Sequence, residues 1–300
     1  MTSTVVGGGN MVMLRDATSL ILRSPHHLQF GTLPGHSLVL TMPTGVSANQ
    51  VMLVLRESMR PVAATELVDR LGHCGFSAEH AAGVLADLVS AGLLRPVPHT
   101  ATSVHVTGPA AMSTALLRDL LRRGVTAATV TPGAPAFGRL GPESLVVLAG
   151  QLFPPQDVTR RLMAQGVPHL PCGVVDGRVV VGPLVLPGTT PCLTCLDTQL
   201  LSEDPEWRLI RAQSPGNVGR PGPGLTDLAS SVVAEVVRDA LGAGTPTDAR
   251  HLDGLVDRRF LDPVTLDTSR VTPLALRGCP SCRAAPVRHT APAVVSGSSG

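Results

Sequence analysis

The spacing of apolar positions switches between a two-residue and a three-to-four-residue period along the chain, and the switches divide it into segments. Two short strand-like runs, His27 to Phe30 and Ser37 to Met42, flank Pro34-Gly35 and predict a hairpin. Ser47 with Gln50 three residues on reads as a capping box for a helix whose apolar face is Val51, Val54 and Leu55, ended by Met59-Arg60-Pro61. A second helix covers Ala64 to Leu71 with Leu67 and Leu71 inward, closed by Gly72 and Gly75. Ser77 caps a third, in which Val84, Leu85, Leu88 and Val89 recur at helical spacing. Gly92 stops that helix, and Leu93 to Val97 reads as a returning strand. A hairpin plus three short helices predicts a winged-helix (α+β) domain over 25–100. Residues 1–24, with Gly7-Gly8-Gly9 and a short apolar run, read as a partly ordered lead-in.

Residues 101–290 carry an α/β pattern. Ser103 to Thr107 is a strand, Ala111 to Arg123 a helix with Met112, Leu116, Leu117, Leu120 and Leu121 on one face, and Val125 to Thr131 a second strand. Gly124 supplies a left-handed helix stop. Ser144 to Ala149 follows as a strand, Gln156 to Ala164 as a helix, and Cys172 to Leu186 as a hairpin turning at Asp176-Gly177. The stripe from Leu225 through Leu228, Ala229, Val232, Val233, Val236, Val237 and Ala240 to Leu241 predicts a long packing helix. Gly254 to Leu276 reads as short strands, and 291–300, rich in Pro, Ser and Gly, as a disordered tail.

Composition narrows the chemistry. All 24 basic side chains are arginines, so no mechanism that needs a lysine amine is open: no Schiff base, no phosphate-loop lysine, no lysine base. A net charge of +2 without an arginine stripe gives no nucleic-acid footprint, and Phe76 to Ala91, where a recognition helix would lie, has no Arg and carries Glu79 and Asp87. DNA binding is therefore disfavoured. With no apolar run of membrane length and no signal-peptide pattern, the expectation is a soluble cytoplasmic protein without membrane contact.

Four of the six cysteines form Cys192-Leu-Thr-Cys195 and Cys279-Pro-Ser-Cys282. Each two-residue gap lets both thiolates face one ion, so Cys192, Cys195, Cys279 and Cys282 are expected to hold a structural zinc with no open position for substrate. Cys74 beside His73, and His169 near Cys172, are read as partly buried structural residues. Where a dinucleotide fold would place glycines after the first α/β strand, the chain has Gly108-Pro109-Ala110 and then Ser113. Pro109 removes a backbone donor and Ala110 puts a side chain where close phosphate approach wants glycine. The second strand ends at Thr131-Pro132 without an acid to hold a ribose. No cofactor-binding or catalytic residue is assigned.

The string from Val181-Gly-Pro through Pro187-Gly188 to Pro191-Cys-Leu-Thr-Cys195, with the distant Cys279-Pro-Ser-Cys282, resembles the zinc-site segment of ThiF/MoeB-type proteins, the ubiquitin-activating-enzyme-like adenylating fold. The first domain, with Leu38-Val-Leu, Arg60-Pro-Val, Glu66 to Leu71 and Ala91-Gly-Leu-Leu94, resembles a PqqD-like peptide-recognition element. The fusion resembles the leader-peptide-binding cyclodehydratase partner of YcaO enzymes in ribosomal peptide modification. That resemblance implies a degenerate adenylating-enzyme-like, Rossmann-type α/β domain, a homodimer, and a YcaO protein that performs the ATP chemistry. It also implies a precursor leader peptide added as a strand beside the third helix, in a groove of Pro43 to Val46 with Leu85, Leu88 and Val89, the last three of which equally suit a core. Active members use a glycine-rich loop and a lysine, both missing here, so the expected function is a non-catalytic scaffold. The alternatives are a divergent adenylating enzyme that uses arginine and a zinc-containing winged-helix DNA-binding regulator.

Overall fold

The computed structural model describes residues 11–97, 103–217, 220–242 and 255–286. The chain divides into two compact units, Met1–Thr100 with Asp239–Gly244, and Ala101–Arg238 with Thr245–Gly300. The expected tail at 291–300 and Gly7-Gly8-Gly9 lie outside the described residues.

The first unit runs β1 (Met11–Leu14), β2 (Leu20–Ser24), β3 (His27–Phe30), β4 (Leu38–Thr41), α1 (Ala48–Glu57), β5 (Val62–Ala63), α2 (Ala64–His73), α3 (Ala78–Ser90) and β6 (Leu94–Pro96). β3 and β4 form the expected antiparallel hairpin, and β2 joins it as a third strand. β1 is the centre of a second sheet of order β5-β1-β6. Val12 and Leu14 of β1 enter the same core as Leu28, Phe30, Leu55, Leu67, Leu71, Leu85 and Leu88. Residues 11–24 are thus built into the unit, which begins before the boundary expected at residue 25. Met11-Val-Met-Leu14 is too short and too evenly apolar to declare a period. Ser77 caps α3 as expected, its hydroxyl accepting from the His80 N–H at 3.3 Å. Ser47 stands at the N-cap of α1, but its side chain makes no capping bond, so the capping box does not form.

The second unit runs β7 (Ser103–Thr107), α4 (Ala110–Arg122), β8 (Ala127–Thr129), α5 (Pro135–Gly138), β9 (Ser144–Ala149), α6 (Gln156–Ala164), β10 (His169–Val175), β11 (Arg178–Val181), α7 (Leu193–Glu203), α8 (Trp207–Asn217), α9 (Pro223–Gly242), β12 (Arg258–Leu261), β13 (Thr268–Val271) and α10 (Pro280–Arg283). Its seven-stranded sheet has the order β13-β12-β11-β10-β9-β7-β8. β8, β7, β9 and β10 are parallel, and β11, β12 and β13 continue as an antiparallel meander. β9 is buried along its whole length, as a central strand covered on both faces must be. Because β8 and β9 lie on opposite sides of β7, the chain reverses direction between β7 and β9, and the carboxyl ends of these two strands form the topological switch point.

α4 and α9 are locked together by polar groups. The buried Asp119 carboxylate accepts from Ser230 Oγ at 2.5 Å, Ser231 Oγ at 3.2 Å and Arg118 Nε at 3.3 Å, and Arg123 Nε reaches Glu235 at 2.8 Å. Burial alone would raise the Asp119 pKa, but the three donors together outweigh it and hold the carboxyl below its usual range. Along α9, whose residues up to Arg238 belong to this unit, the expected stripe packs inward at Ala229, Val233 and Val237, while Leu228 is exposed.

Candidate metal centre and strand-end turn

The two cysteine turns meet although 83 residues separate Cys195 from Cys279 in the numbering. Cys192 is the N-cap of α7 and Cys279 the N-cap of α10, so each turn starts a helix and points a pair of sulfurs inward. All four Sγ atoms lie within 4.8 Å of one another. Cys192 and Cys279 are 3.6 Å apart, Cys195 and Cys282 3.6 Å, and Cys192 and Cys195 3.8 Å. A tetrahedral ion with metal–sulfur bonds of about 2.3 Å places its sulfurs about 3.8 Å apart, so the donor set fits one ion. Val146, Leu148, Val185, Leu193 and Ala285 pack around it in one apolar cluster with α5 and α6.

Burial pushes the Cys192 thiol up and Cys282 to about 11, whereas the Cys282 backbone N–H and the neighbouring thiols outweigh burial at Cys279 and lower it. A bound cation would favour the thiolate form of all of its cysteine ligands. The four thiols can hold a metal, and four protein ligands would leave it no free position. Cys172, fully buried with its thiol pushed up to about 12, and His169, fully buried, stand apart from this cluster. Cys74 is half-buried.

At the switch point the turn after β7 packs on the turn after β9. Gly108 has φ +145°, and a Cβ there would sit 1.8 Å from the Ala149 carbonyl oxygen. A Cβ on Gly150 would sit 3.5 Å from both Pro109 and Met112, and one on Gly173 would sit 3.1 Å from the Gly150 Cα. Three backbone segments thus pack against one another at the ends of β7, β9 and β10, where an open α/β sheet ordinarily leaves its ligand crevice. Pro109 occupies the N-cap of α4 without a side-chain capping bond.

The loop that follows β9 is held by two arginines that periodicity passed over. Arg258, buried in β12, donates Nε to the Gly182 carbonyl and Nη2 to the Leu152 carbonyl, both at 3.2 Å. Arg211 of α8 donates to the Phe153 carbonyl at 3.2 Å and the Pro154 carbonyl at 2.8 Å, and its Nε lies 3.4 Å from Asp197. Both guanidiniums lie over the Phe153 ring, at 5.4 Å and 5.8 Å from its centroid. Three consecutive carbonyls are thereby fixed. The available signal for Arg258 was a pair of charges, Arg258-Arg259, directly before Phe260-Leu261.

Of the expected groove residues Val46, Leu85 and Leu88 lie in the core, while Val89 is half-buried and Pro43 to Gly45 are exposed. Val46 is 2% exposed, Leu85 0% and Leu88 1%, and Val89 is packed against the same cluster. Val46, Leu85 and Leu88 offer a ligand no surface, and the helical spacing of Leu85 and Leu88 reports the face that α3 turns to the core.

No family model matches the chain, and no characterised protein matches it in sequence. Solved structures do. A heterocyclase in complex with substrate and cofactor superposes with a TM-score of 0.53 at 15% identity, covering 91% of this chain and 39% of that one. The heterocyclase TruD gives a TM-score of 0.52 at 17% identity, covering 91% of this chain and 43% of that one. The E. coli microcin synthetase McbBCD complex with pro-MccB17 bound gives 0.52 at 12% identity, over 91% of this chain and 100% of that one. The chain shares its fold with these structures. It spans 39% and 43% of the two heterocyclase chains, so it corresponds in extent to a part of each. The resemblance read from the cysteine string and the N-terminal motifs is matched by structures of this class. Among the described residues no helix is long and apolar enough to cross a membrane.

Proposed function

We propose that this protein is a non-catalytic scaffold that binds the leader of a precursor peptide and presents it to a YcaO-type cyclodehydratase in ribosomal peptide modification. The observation that carries the non-catalytic part is the strand-end turn, where Gly108 packs on the Ala149 carbonyl and the Pro109 ring packs on Gly150. A chain with no lysine adds an independent reason, since the charge that usually meets a nucleotide phosphate is missing. The fold shared with a substrate-bound heterocyclase and with the McbBCD complex carrying pro-MccB17 supports the peptide and cyclodehydratase partners.

In this reading Cys192, Cys195, Cys279 and Cys282 hold zinc, which ties the chain after β13 to α7 and supplies no reactive position. Since metal affinity in such sites carries on the order of 10 kcal/mol of folding free energy in isolated zinc-finger peptides, the ion would act through stability. The winged-helix reading of the first unit rests on the hairpin β3–β4 and the three helices. With Val46, Leu85 and Leu88 in the core, the leader's place shifts to the sheet β2-β3-β4, whose outer strands pair on one side only among the described residues. Strand addition uses such an edge, the backbone supplying affinity and alternate side chains specificity. Ile21, Gln29 and Val39 lie across from one another on its outer face.

ATP–pyrophosphate exchange, measured with and without any short Cys/Ser/Thr-rich peptide encoded near this chain's gene, tests the non-catalytic part. No exchange above the protein-free background is expected. Exchange that depends on this protein would instead establish an adenylating enzyme that works through arginine.

A further inference from the structure

Outside the sulfurs, the two cysteine turns are joined by side chains that the spacing of the cysteines does not require. Thr194 is the third residue of the first Cys-x-x-Cys and Ser281 the third of the second, and their half-buried hydroxyls hydrogen-bond at 2.9 Å. Two further contacts run along α7 in the same direction. The Leu276 N–H points at Cys195 Sγ at 3.5 Å, and the Leu274 N–H donates to Gln199 Oε1 at 2.9 Å. Residues 194, 195 and 199 of α7 are thereby bonded to 281, 276 and 274, so the chain entering the second turn is laid antiparallel along the helix that leaves the first.

We infer that Thr194 and Ser281, with Gln199 behind them, are positioning residues that clasp the second cysteine turn onto the first and preform the metal site. The inference rests on the zinc reading above and goes beyond the four ligands. A site assembled from turns 87 residues apart would otherwise spend part of its binding free energy on bringing them together. With the clasp closed, that ordering is done before the ion arrives. The hydroxyl pair also lies against a cluster whose four thiolates would leave a net negative charge around a divalent ion, and the Leu276 N–H offsets part of it at Cys195.

The test is zinc affinity of the full chain, measured by competition with a chromophoric chelator, together with the visible spectrum of the cobalt-loaded protein. Thr194→Val, which keeps the side-chain shape, and Ser281→Ala are each expected to weaken zinc binding about fivefold, equivalent to about 1 kcal/mol for one hydrogen bond. The double variant is expected to weaken it no further than either single one, since both remove the same bond. Thr194→Ser should restore wild-type affinity, and the cobalt spectrum should remain that of a four-sulfur tetrahedron throughout. Affinities equal to wild type in both single variants, or a double variant that loses the sum of the two, would overturn the clasp. A wild-type protein that binds neither zinc nor cobalt would overturn the metal reading itself, which is a separate result.

Discussion

His169 shows how far a single residue can be read from its neighbours in the sequence. It lies fully buried at the start of β10, with Nδ1 donating to the Val167 carbonyl at 2.9 Å and Nε2 without a partner. Burial, opposed only by that one hydrogen bond, lowers its pKa from 6.5 to about 4. The unfolded chain therefore takes up a proton that the folded one refuses. Stability from this residue is complete above about pH 6.5, declines as the pH falls, and reaches its full loss near pH 4, a swing of about 3 kcal/mol. Urea unfolding at several pH values checks this: His169→Asn should flatten the curve between pH 6.5 and 4, and parallel curves for wild type and variant would show that the proton goes elsewhere. The four metal-site cysteines were legible at this scale because two-residue gaps carry geometry within themselves. The Asp119 and Arg258 contacts were not, since Asp119 finds its serines 111 and 112 positions away and Arg258 its carbonyls 76 and 106 positions away.

At the scale of elements, those with strong local signals were legible. α6 matches its expected ends, the hairpin β10–β11 turns at Asp176-Gly177, and α9 follows its stripe. β1 and β2 were not, because strands of four and five residues become strands only when the rest of the unit supplies partners. α7 and α8 were passed over as well. α8 rests on the protein through Trp207 and Arg211 and exposes Leu209 and Ile210, so it carries no apolar stripe for periodicity to find. Gly108 was singled out as the remnant of a phosphate loop, and its conformation is now explained by packing. Gly108→Ala should cost about 3 kcal/mol or more, because the new Cβ would meet the Ala149 carbonyl at a φ of +145°. Chemical denaturation checks it, and a loss below about 0.5 kcal/mol would mean that the two strand-end turns are free to separate.

For the whole molecule, the absence of lysine first excluded mechanisms and then joined a structural fact. The α/β unit has a sheet with a switch point, and Gly108-Pro109 and Gly150 pack together beside it. The α/β class of the second unit was legible because strand and helix periods alternate along it. The place of a peptide was not, since the apolar positions of α3 that suggested a groove are the ones the core consumes. An outward-facing residue such as Val39 follows from register alone, which a sequence does not display.

The most direct test of the scaffold reading is calorimetric titration of the intact protein with short Cys/Ser/Thr-rich peptides encoded near its gene. Saturable one-to-one binding is predicted, weakened about fivefold by Val39→Glu on the outer face of β4, with no heat from magnesium-ATP added to the same sample. An absence of peptide binding by a folded, zinc-loaded protein that takes up ATP would contradict it.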